Sequence, residues 1–411
     1  MLKLKHGQLK SLRLFNCHSK KFLAKYLSNP KEKLYVTTKE IRNVDKYFHS
    51  KGNVFYKSKV NDKYFTDEPK DYTPTKYRKF NNAQEKHKKI LKQINFYLKQ
   101  IKLPEYYFSK PESCYKDNAT FHKGNTKFIL MDISSFFPNC TFEKIKNFCI
   151  KESGLNMIRV IDKGDGTKEY QTDVADAFAR LITAPKNTNI NNRIVPQGYP
   201  TSTTISFLAY QEMFDEIARY AYSFGYKFSA YVDDLTFSYN EEKIEPSEFI
   251  EHVIEILKKY GHTSNSEKVR VIDINKNNSY GKNKMNVPII TGIFLKRYLV
   301  KASPNIHKKL NRAFNKVNSA GPPKNSTEYM KNWENFNSLL GLYNTVNFIE
   351  PKTKHKRENI RNLITIKKRD FIPCISPKVI KRLKWEDKLF DAYRSNRLTE
   401  FYIKNKKLLT K

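Results

Sequence analysis

Two adjacent carboxylates, Asp233 and Asp234, stand in the middle of Phe228-Ser-Ala-Tyr-Val-Asp-Asp-Leu-Thr-Phe-Ser238, flanked by β-branched and aromatic residues. The pattern predicts a tight hairpin that holds both carboxylates at its turn. Neighbouring anions repel and bury no apolar surface, so the arrangement calls for a cation held with a third ligand. Mg²⁺ takes oxygen ligands in octahedral geometry, and two such ions roughly 4 Å apart clamp the attacking and leaving oxygens of a phosphoryl transfer. An isolated Asp-Asp pair is more often a solvated turn. The rest of the chain decides between the two. Lys127-Phe-Ile-Leu-Met131 reads as an apolar strand that ends on Asp132. A carboxylate at the end of a buried strand is presented to a metal with little slack.

The elements that must position these residues are partly readable. Ile90, Leu91, Ile94, Tyr97, Leu98 and Ile101 share one face of a helix that Pro104 ends. Phe142, Ile145, Phe148 and Cys149 make the apolar face of another, and Val174–Ile182 a third, with a turn at Asp165-Gly166 between them. Val195-Pro-Gln-Gly-Tyr-Pro opens a helix expected to run to about Phe224. Ser247 starts the next, which turns Phe249, Ile250, Val253, Ile254 and Leu257 inward and closes at Gly261. Asn265-Ser-Glu-Lys268 then leads a strand, Val-Arg-Val-Ile-Asp-Ile. Beyond residue 300 the pattern is helical, over Ile306–Phe314 and from Tyr329 to about Phe348. Residues 52–80 read as short strands and loops; residues 1–50 fit either a packed helical extension or a mobile arm.

Composition bounds the partners. Lys and Arg number 77 against 41 Asp and Glu, a net charge of +36 spread along 411 residues. A field of that sign attracts phosphate backbones and makes binding salt-dependent. Cys17, Cys114, Cys140, Cys149 and Cys374 show no metal-ligand spacing, and an odd count suits a reducing compartment. No apolar run reaches the roughly 18 residues of a membrane span, and the basic N-terminus lacks the apolar core of a signal peptide. The expectation is a cytoplasmic protein without a membrane partner.

Tyr-x-Asp-Asp between apolar strands resembles the palm hairpin of reverse transcriptases, and the likeness extends over about residues 75–300. Asp132 followed five positions on by Phe137 looks like the first palm motif. Pro196-Gln-Gly-Tyr-Pro200 resembles the second, with Thr203 in place of its later proline, and Asn265-Ser-Glu-Lys268 the motif that carries a lysine near the leaving pyrophosphate. The resemblance implies an α+β right-hand polymerase, with a basic N-terminal extension at 1–51, fingers at 52–115 and palm at 116–300. The connection at 155–195 joins the fingers, and 301–411 forms a helical thumb that binds RNA.

It also implies roles. Asp132, Asp233 and Asp234 hold two Mg²⁺ ions with the Ile133 carbonyl, and deoxynucleoside triphosphates are the substrates. Phe137 lies beneath the sugar and excludes a 2′-hydroxyl, and Gln197 and Gly198 lie near sugar, template or base pair. Arg78 or Lys79 meets the triphosphate, and Lys268 is a general acid. Asn118-Ala-Thr-Phe-His122 and Ile290-Thr-Gly292 are similar to signatures of retron reverse transcriptases, the second with Ile for Val. Mechanically, Asn118 is expected to cap a turn, His122 to be a satisfied packing histidine and Thr291-Gly292 to bend a hairpin against the primer. The retron likeness implies a dedicated structured non-coding RNA as template, an RNA–DNA product duplex, an effector protein and a place in antiphage defence. Two alternatives share the palm, a non-retron defence-associated enzyme and an intron-type maturase. A third, of another class, is a non-catalytic RNA-binding protein on the same scaffold.

Overall fold

Residues 13–17 and 19–48 form a packed layer, and the rest of the segment before position 50 lies outside the described residues. Ser19 caps α1 (Lys20–Leu27), and a Thr37/Glu40 capping box starts α2 (Thr38–Arg42). Leu14, Phe15, Leu23 and Leu27 are fully buried, and the Phe15 ring meets Phe178 edge-on at 5.5 Å. Asp45 accepts from Arg193 at 3.1 Å and Arg180 at 3.4 Å, so a buried guanidinium ties this layer to the body. The computed structural model describes residues 13–17, 19–48, 54–59, 63–71, 73, 76–152, 155, 159–162, 168–171, 173–186, 189–275, 287–371 and 376–409. The turn expected at Asp165-Gly166, and Cys374, lie outside them. The chain divides into two compact units, 1–286 and 287–411.

In the first unit, β1 (Val54–Ser58), β2 (Tyr64–Phe65) and β3 (Tyr77–Asn81) form an antiparallel sheet in the order β2-β1-β3, with Lys57 opposite Arg78. Helix α3 (Glu85–Leu98) follows and buries Ile90, Leu91, Ile94 and Leu98, as its periodicity requires. Next come α4 (Tyr115–Phe121), β4 (Lys127–Asp132), the single turn α5 (Phe136–Asn139) and α6 (Phe142–Glu152). Two small ribbons, β5 (Arg159–Asp162) with β6 (Lys168–Gln171) and β7 (Ala184–Lys186) with β8 (Asn189–Ile194), flank α7 (Asp173–Ile182).

The helix expected from Val195 to Phe224 is two, α8 (Ser202–Ala209) and α9 (Gln211–Ser223). Tyr210 breaks it at φ −115°, ψ 18°: its hydroxyl donates to the Asn139 carbonyl at 3.2 Å and its ring packs on His262 at 4.5 Å. Tertiary contacts override a sequence with no breaker.

The central sheet is built from β4, β9 (Lys227–Tyr231), β10 (Asp234–Tyr239) and β11 (Arg270–Asp273), antiparallel throughout, in the order β11-β4-β10-β9. Phe128, Ile129, Phe228, Ala230 and Phe237 bury its middle completely. The free edge of β9 is covered by Tyr106–Phe108, which exchanges backbone hydrogen bonds with Ala230 at 2.8 and 2.9 Å. Helix α10 (Pro246–Lys259) turns Phe249, Val253 and Leu257 inward, and Gly261 follows it at φ +82°.

The second unit opens with an antiparallel sheet of β12 (Ile289–Ile290), β13 (Ile293–Lys296) and β14 (Leu299–Ala302). Thr291 and Gly292 take φ +47° and +83°, the two left-handed residues of a type I′ hairpin turn. Helices α11 (Pro304–Asn318), α12 (Ser326–Ile349), α13 (Glu358–Lys367), α14 (Pro377–Leu383), α15 (Glu386–Arg394) and α16 (Leu398–Leu409) complete it, around Trp333, Phe336 and Leu339. The architecture is therefore α+β, antiparallel sheets with helices, as expected. No helix among the described residues is long and apolar enough to cross a membrane.

Candidate active site

Register brings the carboxylates together. On the central sheet Asp234 pairs directly with Asp132, so both side chains leave the same face at one end of the strands. Val232 and Asp233 form the two-residue turn, and Val232 takes φ +61° while Asp233 does not, the pattern of a type II′ turn. A β-branched residue there is strained, at a cost of about 1–3 kcal/mol. The Ile133 N–H donates to the Asp233 carbonyl at 2.9 Å, and the Asn265 N–H to the Asp132 carbonyl at 3.1 Å, so both loops are pinned to the strand end.

The charges are under stress. Burial first, then the Asp132 charge, pushes the Asp233 carboxyl above the usual carboxylate range, with Lys268 and Arg78 opposing. Burial and the charges of Asp233 and Asp132 push Asp234 up to about 6. Lys268 offsets part of this, its Nζ lying 2.6 Å from Asp132 Oδ2. Among the described residues no group of three or more His, Cys, Asp and Glu is gathered closely enough to hold a metal. The donor set still suits a hard divalent cation: three carboxylates, two of them held where ionisation is disfavoured until a positive charge arrives.

The basic residues around the site are partly resolved. Successive strand residues point to opposite faces, so Arg78 and Lys79 cannot both serve one site. Arg78 is the one whose charge acts on Asp233. A residue missed in the sequence joins it: Lys59, one position past β1, whose ammonium is disfavoured by burial and by Arg78 and Lys268 and favoured by Asp132. Finding it requires the β1–β3 register, and the intervening residues carry no signal for that.

Phe136 and Phe137 differ in burial. Phe136 is buried against Tyr210, Phe214 and His262, whereas Phe137 packs beside it, ring centroids 5.7 Å apart, and stays half-exposed. Gly198 has φ +107°, and a Cβ there would lie 2.8 Å from the Asn81 carbonyl oxygen. The backbone it admits is thus that of β3, whose Asn81 N–H also donates to the Gln197 carbonyl at 2.9 Å. Gly198→Ala is expected to lower stability by about 2 kcal/mol or more, since both backbone strain and a clash with backbone oppose it. Thermal melting checks this, and an unchanged midpoint would mean the loop is not anchored on β3.

His122 staples the hairpin that carries Asp233 and Asp234. It is fully buried, with Nδ1 2.7 Å from Ser238 Oγ on β10 and Nε2 2.7 Å from Ser229 Oγ on β9. Burial followed by the Lys227 charge depresses its pKa to about 3, so the ring is neutral at ordinary pH, with one nitrogen donating and the other accepting. A depressed histidine binds fewer protons folded than unfolded. Its contribution is complete above the unfolded value near 6.5 and is lost as the pH falls toward 3, on the order of 4 kcal/mol across that window. The His122 ring resonances should therefore not move between pH 8 and 5; titration near 6.5 would show that the hairpin opens.

Asn118 does not cap a turn. It lies inside α4, whose cap is Cys114 with Asp117, and both ends of its buried amide lack a polar partner among the described residues.

Residues 67–287, more than half of the chain, match the model of the family described as reverse transcriptase (RNA-dependent DNA polymerase), and the chain belongs to that family. Within it, the chain is 26% identical over 132 residues to the retron Mx162 reverse transcriptase of Myxococcus xanthus, covering 31% of this chain and 25% of that protein. It is 25% identical over 139 residues to the retron Mx65 reverse transcriptase of the same organism, covering 31% and 29%. The matched stretch thus spans only about a quarter of the length of these curated relatives. Among solved structures it is similar to apo telomerase from Candida tropicalis truncated from its C-terminal domain, with 14% identity, 66% of this chain, 61% of that chain and TM-score 0.39. It is also similar to the foamy viral protease-reverse transcriptase in complex with RNA/DNA hybrid, with 14% identity, 72% and 29% coverage and TM-score 0.34.

Proposed function

We propose that this chain is an RNA-directed DNA polymerase of retron type that copies a dedicated structured RNA into DNA, acting in antiphage defence. The observation that carries the reading is the pairing of Asp234 with Asp132 beside the Asp233 turn, on a sheet inside the family match. Residues 52–115 serve as fingers, 116–300 as palm and 301–411 as thumb.

Asp132 and Asp233, with the Ile133 carbonyl, would hold two Mg²⁺ ions, with Asp234 in support. Bound there, the ions would supply the charge that lowers the pKa of the primer 3′-hydroxyl, whose proton passes to solvent, and that stabilises the leaving oxygen. Everything else is done by side chains. Arg78 and Lys59 receive the triphosphate, Phe137 lies under C2′, and Gln197 borders the sugar and template. The primer oxygen bonds to the α-phosphorus, the bond to pyrophosphate breaks, and Lys268 protonates the departing pyrophosphate. Lys268 Nζ lies 2.6 Å from Asp132 Oδ2, which places the ammonium beside the carboxylates for the acid role.

The retron character is tested by RNA choice. Charge alone ensures binding to any polyanion, so affinity at low salt is uninformative. At near-physiological salt the RNA transcribed from sequence adjoining the gene should bind far more tightly than a scrambled RNA of equal length, because shape and 2′-hydroxyl contacts survive screening. Removing residues 301–411 should abolish the preference. Equal binding of the two RNAs would favour a template-promiscuous reverse transcriptase.

A further inference from the structure

A pocket of about 170 Å³ opens within the second unit, between the end of α11, the loop after it, α12 and α15. Its inner wall is aromatic. Tyr329 is fully buried, its ring 4.8 Å from Tyr393 and 5.7 Å from Phe371, and its hydroxyl donates to the Asp370 carbonyl at 2.8 Å, which fixes the wall to the turn that follows α13. Tyr393 is partly exposed where it lines the pocket, its ring also stacked 6.3 Å from Phe390. The rim is polar and under-used. Asn332 spends an amide N–H on the Gly321 carbonyl at 3.3 Å, and its oxygen accepts no described hydrogen bond. The Asp370 carboxylate lies 3.9 Å from Lys367 Nζ, beyond hydrogen-bond distance, and both partly exposed side chains line the pocket, so neither spends a hydrogen bond on the other. Lys368 and Arg369 are exposed beside it.

The occupant must therefore be flat, offer adjacent N–H donors to a carboxylate and an acceptor to an ammonium, and be tied to something anionic. A guanine base satisfies all of these: N1–H and the N2 amino group face Asp370, O6 faces Lys367, and the ring stacks on Tyr393. Adenine and the pyrimidines lack that pair of adjacent donors beside an acceptor. We propose that this pocket takes one unstacked guanine of an RNA strand, with Lys368 and Arg369 on the adjoining phosphates. The choice of RNA as the source rests on the polymerase reading above; the chemistry of the pocket does not.

The test is fluorescence anisotropy of the full chain with four fluorescein-labelled RNA dodecamers at near-physiological salt: all uridine, or uridine with one central guanosine, inosine or adenosine. The guanosine strand should bind about tenfold more tightly than all-uridine, with inosine, which lacks the N2 amino group, between them and adenosine close to uridine. Asp370→Asn should bring the guanosine strand to the uridine level. Equal binding of the four strands overturns the proposal, as does a preference that survives Asp370→Asn. Free GMP that competes as tightly as the guanosine strand would overturn the RNA assignment in favour of a nucleotide site. Primer extension by the same preparation keeps the two readings apart. Extension without a guanosine preference removes the pocket alone, and a preference without extension removes the polymerase reading alone.

Discussion

Asp233→Asn combined with Asp234→Asn should reduce DNA synthesis by a thousandfold or more, equivalent to about 4 kcal/mol of lost transition-state stabilisation. RNA binding should be nearly unchanged. The amides keep the shape of the hairpin and lose only the charge proposed to hold the metals. Stability should move the other way. Asp234 is held near 6 by burial and by its acidic neighbours, so the folded chain binds its proton more tightly than the unfolded chain does. That penalty grows as the pH rises from about 4 to about 6 and is then constant, on the order of 2–3 kcal/mol. In chelator at pH 7.5 the double variant should melt above the wild type, and saturating Mg²⁺ should raise only the wild type. Continued synthesis by the folded variant would move the active centre elsewhere.

Phe137→Val should raise the efficiency of ribonucleotide relative to deoxynucleotide incorporation, by on the order of tenfold to a hundredfold. Phe137 is the half-exposed member of the pair, while Phe136 bears the packing against Tyr210, Phe214 and His262. Phe137 packs on the edge of the core, so a smaller side chain opens space on the side proposed to lie under the sugar while Phe136 keeps the inner packing. Both efficiencies will fall through local repacking, so their ratio is the quantity to read. An unchanged ratio would make Phe137 a packing residue.

The hairpin and the strand that ends on Asp132 were legible because each is local: apolar runs of strand length, with carboxylates where burial stops. Their order along the chain was legible too, but their pairing was not, since opposing Asp132 to Asp234 depends on a strand register set by packing. The same limit hid Lys59, and it gave Gly198 a different neighbour, Asn81, from the base pair that its motif implies. Tyr210 ends a helix through contacts with Asn139 and His262, more than fifty residues away on either side, and a local pattern cannot carry that. The N-terminal layer was ambiguous for a related reason. Its few apolar residues become a core only when α7 and the Arg193 guanidinium meet them.

Whether these carboxylates drive template-directed DNA synthesis on RNA is decided by single-nucleotide extension of a primed RNA template by the purified wild-type chain. Each of the four deoxynucleotides is supplied alone with Mg²⁺, on templates that differ only in the next base. The primer should grow by the complementary deoxynucleotide, the matching ribonucleotide should be used poorly, and chelator should stop the reaction. A folded chain that binds the primed template and adds nothing, or adds nucleotides without regard to the template base, would contradict it.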